Sequence, residues 1–192
     1  MPIDVVPLTP KIGAEIRGVD LRDDLDDETV AAIRNAWLEH AVVLFRDQNL
    51  GKDDQVRFTT QFGNVGILAR PKQYRTSGHD DMPDGMMLIS NVRENGEPIG
   101  ALPDGEMMFH HDMLHADIPH TATLLYAVEI PSIGGNTLFA SGYAAYDTLP
   151  EDVTPNSQLQ IKGEGQAQEV LLGGKTKRVA AEAGDLVICK PP

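Results

Sequence analysis

The sequence predicts a mainly β domain with flanking helices, and three observations carry that reading. Apolar runs of strand length recur, as at residues 41–45, and are bounded by Gly, Pro and Asp. Two segments, near residues 27–39 and 52–62, instead repeat apolar side chains at helical spacing. Beyond Pro150 the chain breaks into short strand-like runs separated by glycines, the texture of successive hairpins.

In chain order, residues 12–16 read as a strand entering a turn near Val19 and Asp20, with Gly13 and Gly18 allowing a small N-terminal hairpin. The acidic run at residues 23–28 suits a helix N-terminus, where carboxylates meet the positive end of the helix dipole. Val30, Ile33, Ala36 and Trp37 follow at helical spacing, so the helix is expected over 27–39. Residues 41–45 have no polar side chain in alternation, which predicts a central strand buried on both faces. A second helix opens at Lys52 with Val56, Phe58, Thr59 and Phe62 on its apolar face, and Gly63 is expected to cap it.

Residues 67–105 are rich in Gly, Pro, Asp and Met and read mostly as loop, with one strand expected over 86–90. Residues 121–129 predict a strand, 134–140 a Gly-Gly turn and a further strand, and 142–149 a short helix. In the tail, strands are expected over 158–162, 169–172 and 186–189. No repeat or linker divides the chain, and 192 residues suit one domain spanning 1–192.

Bulk composition narrows the function classes. A formal charge of -13 and a sequence pI near 4.7 disfavour nucleic acid, because affinity for a phosphate backbone rests on a positive surface. No apolar run approaches the roughly 18 residues that a membrane-spanning helix needs, so no membrane partner is expected. The N-terminus lacks a basic segment leading into an apolar one, and the single cysteine, Cys189, permits no internal disulfide. Both point to the cytoplasm, with Cys189 as a buried strand residue. A small-molecule substrate remains, and an anionic one is compatible with an acidic chain if arginines gather locally in a cleft.

Four of the six histidines, His110, His111, His115 and His120, fall within eleven residues, interspersed with Asp112 and Asp117. In an extended segment residues i and i+2 project to one face, so His110 and Asp112 can reach one ion while His111 points away. Imidazole nitrogen with carboxylate oxygen suits Fe(II), Mn(II) or Zn(II). The pattern is short, and the alternative is a hydrogen-bonded His–Asp pair on a partly exposed strand.

Context separates the two readings. The run Ala36-Trp37-Leu38-Glu39-His40-Ala41-Val42-Val43-Leu44-Phe45-Arg46-Asp47-Gln48 is followed by Gln61-Phe62-Gly63, Phe109-His110-His111-Asp112 and Gly134-Gly135-Asn136-Thr137-Leu138-Phe139-Ala140. In order and approximate spacing this resembles the TauD/TfdA family of 2-oxoglutarate-dependent dioxygenases, over residues 8–153. The resemblance implies a double-stranded β-helix, a cupin-like jelly roll with helices outside. It also implies Fe(II) as the metal, 2-oxoglutarate as cosubstrate and dioxygen as oxidant. Carried over by position, His110 and Asp112 match two members of the family's 2-His-1-carboxylate triad, and Thr137 matches the threonine that holds 2-oxoglutarate.

The family's distal histidine and its 2-oxoglutarate-binding arginine have no match here. No histidine follows His120, and Arg178 is the only arginine after Arg93. Residues 154–192 diverge into a hairpin tail whose segment 184–192 resembles a cupin-type strand, so the jelly roll is expected to be incomplete. His79, His115 or His120 could complete the ligand set in principle. Substrate contacts are expected among Arg70, Lys72, Tyr74, Arg75, Asn91 and Arg93, against a favoured alternative of ordinary loop polarity. A dioxygenase hydroxylating a small anionic compound is thus the leading expectation. The alternatives are a non-catalytic fragment or subunit, whose open sheet edges would drive homo-oligomerisation, and a cupin-like protein that binds metal without oxidative chemistry.

Overall fold

A computed structural model describes residues 2–66, 76–79, 82–101, 109–113, 118–148, 177–179 and 186–189. In chain order the elements are β1 (Asp4–Pro7), β2 (Ala14–Arg17), α1 (Asp27–His40), β3 (Val42–Phe45), α2 (Lys52–Thr60), β4 (Arg93–Glu94) and β5 (Glu97–Pro98). Then follow β6 (Thr123–Tyr126), β7 (Thr137–Phe139), α3 (Gly142–Asp147), β8 (Lys177–Val179) and β9 (Leu186–Cys189). They form a five-stranded mixed sheet, ordered β1-β2-β3-β9-β6, and two two-stranded ribbons, β4-β5 and β7-β8.

The N-terminal hairpin forms as expected, with Val5 opposite Ile16 in an antiparallel pair. Parallel β2 and β3 then require a crossover, and α1 supplies it. Asp26 caps that helix by accepting the Thr29 N–H at 2.8 Å. Those hydrogen bonds from Thr29 are the main cause holding the Asp26 carboxyl near a pKa of about 2. At the other end Ala41 adopts φ 62 and donates its N–H to Trp37 O at 2.9 Å, ending α1 one residue before β3 begins.

β3 is central and buried along its whole length, as its apolar run predicts. Alternation sends its side chains to two separate cores. Val43 and Phe45 join Ile16, Ile33, Trp37, Phe58 and Leu186 on the helix side. Val42 and Leu44 join Ile12 and Ala41 on the other side, with Phe139 of β7 packed against them. Phe58 meets Phe45 edge-on with ring centroids 5.7 Å apart, which docks α2 on the same face as α1.

Four expectations need correction. α2 does not run to a glycine cap: Gln61 N and Phe62 N donate to carbonyls three residues back, tightening the last turn so that no left-handed residue is needed at Gly63. Residues 86–90 join no sheet; instead Asn95 (φ 52) and Gly96 (φ 86) turn β4 into β5 in the manner of a type I′ hairpin. β6 is shorter than residues 121–129, and each of its residues from Thr123 to Tyr126 pairs with one of β9. The short helix stops at Asp147, capped at its start by Ser141. The strand expected over 186–189 forms as β9, whereas those over 158–162 and 169–172 lie outside the described residues. Among the described residues no helix is long and apolar enough to cross a membrane.

Candidate metal centre

The face of the large sheet opposite α1 and α2 positions the site. β3, β9 and β6 are in register so that Val42, Cys189 and Thr123 stand opposite one another, while Phe45, Leu186 and Tyr126 form another row. Directly paired residues share a face. Leu124 and Tyr126 pack against the helix-side core, which puts Thr123 on the opposite face. Tyr126 also anchors β6: its hydroxyl accepts the Leu50 N–H and donates to Gln48 O, each at 3.1 Å.

Against this edge lies the His-x-Asp segment. His110 Nε2 and Asp112 Oδ1 are 3.2 Å apart, and Thr123 Oγ1 donates to Asp112 Oδ2 at 2.8 Å. The two side chains meet, but no strand forms there: residues 110 and 111 are irregular and a turn follows at Asp112 and Met113, with Met113 at φ 55. Both side chains remain over 40% exposed.

The donor set can be tested against a divalent ion. Two ligands about 2.1 Å from one metal and roughly at right angles lie about 3 Å from each other. The separation of Nε2 and Oδ1 matches that spacing, and the Thr123 hydroxyl occupies the carboxylate oxygen not facing His110. Nitrogen and oxygen donors at this spacing are compatible with two ligands of one divalent ion and equally with a hydrogen-bonded His–Asp pair.

Among the described residues no group of three His, Cys, Asp or Glu side chains could hold a metal. His120 packs against Gly66, where an added Cβ would come 2.6 Å from Nε2. His79 sits in a single 3₁₀ turn, Ser77–His79, and His115 lies outside the described residues. Thr137 opens β7 in a separate ribbon, exposed and paired with Val179. Arg178 holds the register position opposite Leu138, one residue away from Thr137's partner.

Of the expected substrate residues, Arg70, Lys72, Tyr74 and Arg75 lie outside the described residues, and Asn91 is exposed. Arg93 donates to Gly96 O at 3.3 Å, a contact within its own hairpin that favours the structural account. Thr123, bonded to Asp112, stands at the head of a strand whose alternate positions, Leu124 and Tyr126, face the core, a pattern visible in the sequence.

Comparison with known proteins identifies the family. The model of the "Taurine catabolism dioxygenase TauD, TfdA family" matches residues 4–156. An (S)-phenoxypropionate/alpha-ketoglutarate-dioxygenase of Sphingobium herbicidovorans is 31% identical over 181 residues, covering 93% of this chain and 59% of that protein. Pentalenolactone F synthase of Streptomyces avermitilis is 37% identical over 145 residues, covering 74% and 46%. An alpha-ketoglutarate-dependent sulfate ester dioxygenase of Pseudomonas putida is 36% identical over 149 residues, covering 78% and 45%. The chain therefore spans about half the length of these relatives.

Solved structures show the same fold. AAD-2 in complex with Mn(II) and N-oxalylglycine superposes with a TM-score of 0.69 at 18% identity, covering 99% of this chain and 88% of that one. A taurine dioxygenase from Burkholderia xenovorans gives 0.64 at 24% identity, covering 98% and 79%. With the family model matched across the helices, the central strand and the His-x-Asp turn alike, the chain belongs to the TauD/TfdA dioxygenase family.

Proposed function

We propose that this chain carries two of the protein ligands of an Fe(II)- and 2-oxoglutarate-dependent dioxygenase that hydroxylates a small anionic organic compound, with 2-oxoglutarate leaving as succinate and CO2. The observation that carries the reading is the 3.2 Å approach of His110 Nε2 to Asp112 Oδ1 inside the matched family region. Relatives named for phenoxypropionate, 2,4-dichlorophenoxyacetate and sulfate esters favour an anionic substrate. The fold we propose for the whole is the family's jelly roll, one domain over 1–192.

In this reading His110 and Asp112 would hold the metal with positions left for the keto acid, and the Thr137 hydroxyl would donate to one of its carboxylate groups. Bound iron with 2-oxoglutarate supplies the oxidising power, while the protein orients the substrate and excludes water. The test is an anaerobic Fe(II) titration followed by assay of succinate with aryloxy carboxylates and alkyl sulfates. Succinate formation that is lost in His110→Ala is the expected result. No turnover in any preparation, with metal binding unchanged in His110→Ala, would sink the assignment.

A second reading has its own support: a non-catalytic subunit completed by another chain. Ile118, Val128 and Ile133 are 85%, 72% and 91% exposed, unusual for large apolar residues, and they fall in the same stretch as the site. Self-association on light scattering without any 2-oxoglutarate turnover would favour it. A monomer that unfolds cooperatively would count against it.

A further inference from the structure

We infer that Thr123 is a positioning residue for the metal site, fixing the Asp112 carboxylate so that it binds through one oxygen only; the inference rests on the reading of His110 and Asp112 as ligands. Asp112 sits in a turn and is 47% exposed, so packing alone does not choose its rotamer. The hydroxyl of Thr123 does, by donating to Oδ2 at 2.8 Å. Oδ1 is thereby left 3.2 Å from His110 Nε2, within reach of the same ion.

The donor is well placed to do this because β6 is held along its length. Thr123 pairs with Cys189, and three residues later Tyr126 is bonded to both Leu50 N and Gln48 O. The β-branched threonine side chain also has a restricted χ1, which limits the directions its hydroxyl can take. The consequence is chemical. A free carboxylate can chelate a divalent ion through both oxygens, using two coordination positions. One oxygen engaged by a hydroxyl leaves the other as a single ligand, and so preserves the positions that a keto acid and dioxygen require.

The experiment uses the full chain and Mn(II), titrated calorimetrically, with Co(II) absorption as a second readout of coordination. Thr123→Val keeps the β-branched shape and removes the hydroxyl; Thr123→Ser keeps the hydroxyl. The expected result is Mn(II) affinity about 10- to 100-fold weaker in Thr123→Val, the range for loss of an outer hydrogen-bond partner. The Co(II) spectrum should change with it, while Thr123→Ser retains both and thermal unfolding is unchanged throughout. Parental affinity in Thr123→Val, alongside loss of binding in His110→Ala, overturns the inference and leaves the site assignment standing. Equal weakening in Thr123→Val and Thr123→Ser also overturns it, because packing is then the cause. No Mn(II) binding by the parent chain, or undiminished binding in both His110→Ala and Asp112→Ala, sinks the site assignment and the inference together.

Discussion

The first sixty or so residues and the stretch around residues 109–148 follow opposite design rules. In the former nearly every element end is satisfied: Asp26 caps α1, Gly51 N is bonded by Asp54 at the head of α2, and Trp37, Phe45 and Phe58 are almost wholly buried. In the latter, His110 and Asp112 are substantially exposed and Ile118, Val128 and Ile133 face outward. One region is packed and the other holds the candidate site on exposed side chains. The two are joined by β6 and its pairing with β9, by Tyr126 bonded beside α2, and by Phe139 packed against the Ile12, Ala41, Val42 and Leu44 core. Stability and function should therefore respond to different mutations.

The largest expected effect falls in the packed half. Phe58 is 0% exposed and touches both Phe45 and Phe62 edge-on, so Phe58→Ala removes aromatic contacts and leaves a cavity. A loss of about 3–5 kcal/mol is expected, read as a lower denaturant midpoint with an unchanged slope. A loss below about 1 kcal/mol would show that the helix-side core is far looser than its burial implies.

Next in size, and opposite in kind, is the site. His110→Ala and Asp112→Ala should remove most divalent-metal affinity yet shift folding stability by no more than about 0.5 kcal/mol, as expected for exposed positions outside the core. Comparing Mn(II) titrations with urea melts of the same variants checks both halves of that statement. A large stability loss without a change in metal affinity would recast the pair as structural and erase the contrast.

Legibility in the sequence divides along the same line. α1 and β3 were readable because local signals agree with tertiary burial: acidic residues at 26–28, period-matched Ile33 and Trp37, then an unbroken apolar run. The tail strand over Leu186–Cys189 was also readable, although its place between β3 and β6 was not. Residues 86–90 misled because a short apolar run does not say whether a partner strand exists. Asn95-Gly96 carried the stronger signal for the hairpin that did form. At the site, residue types and spacing were legible from 110 and 112. The Thr123 bond, eleven residues away in sequence and dependent on sheet register, was not.

A smaller effect concerns pH. Hydrogen bonds from Thr29 hold the Asp26 carboxyl near a pKa of about 2, below its ordinary 3.8, and side-chain bonding from Arg22 does the same for Asp20. A carboxyl whose folded pKa is depressed contributes stability that is fully present above the unfolded value and is lost as pH falls through the folded one. The contribution should thus fade between about pH 4 and pH 2. Asparagine at position 26 still accepts at the helix N-terminus but does not titrate. Asp26→Asn should therefore flatten the fall in melting temperature over that window while changing little at pH 7. An identical pH profile for parent and variant would show that the cap contributes no linkage.

The smallest global effect is expected at the β4-β5 turn. Gly96 holds φ 86 with no neighbour within 4 Å of where a Cβ would stand, so Gly96→Ala meets conformational strain and no clash. Left-handed backbone costs a non-glycine residue roughly 1–2 kcal/mol. Among the described residues β4 and β5 pair only with each other, apart from the packed sheet, so the strain can be relieved by local opening. Hydrogen exchange should accelerate at residues 93–98 while the global melting temperature stays within about a degree. A drop of several degrees would mean that this hairpin supports the cooperative core, and that the division between a packed half and a presenting half is less sharp than the burial pattern implies.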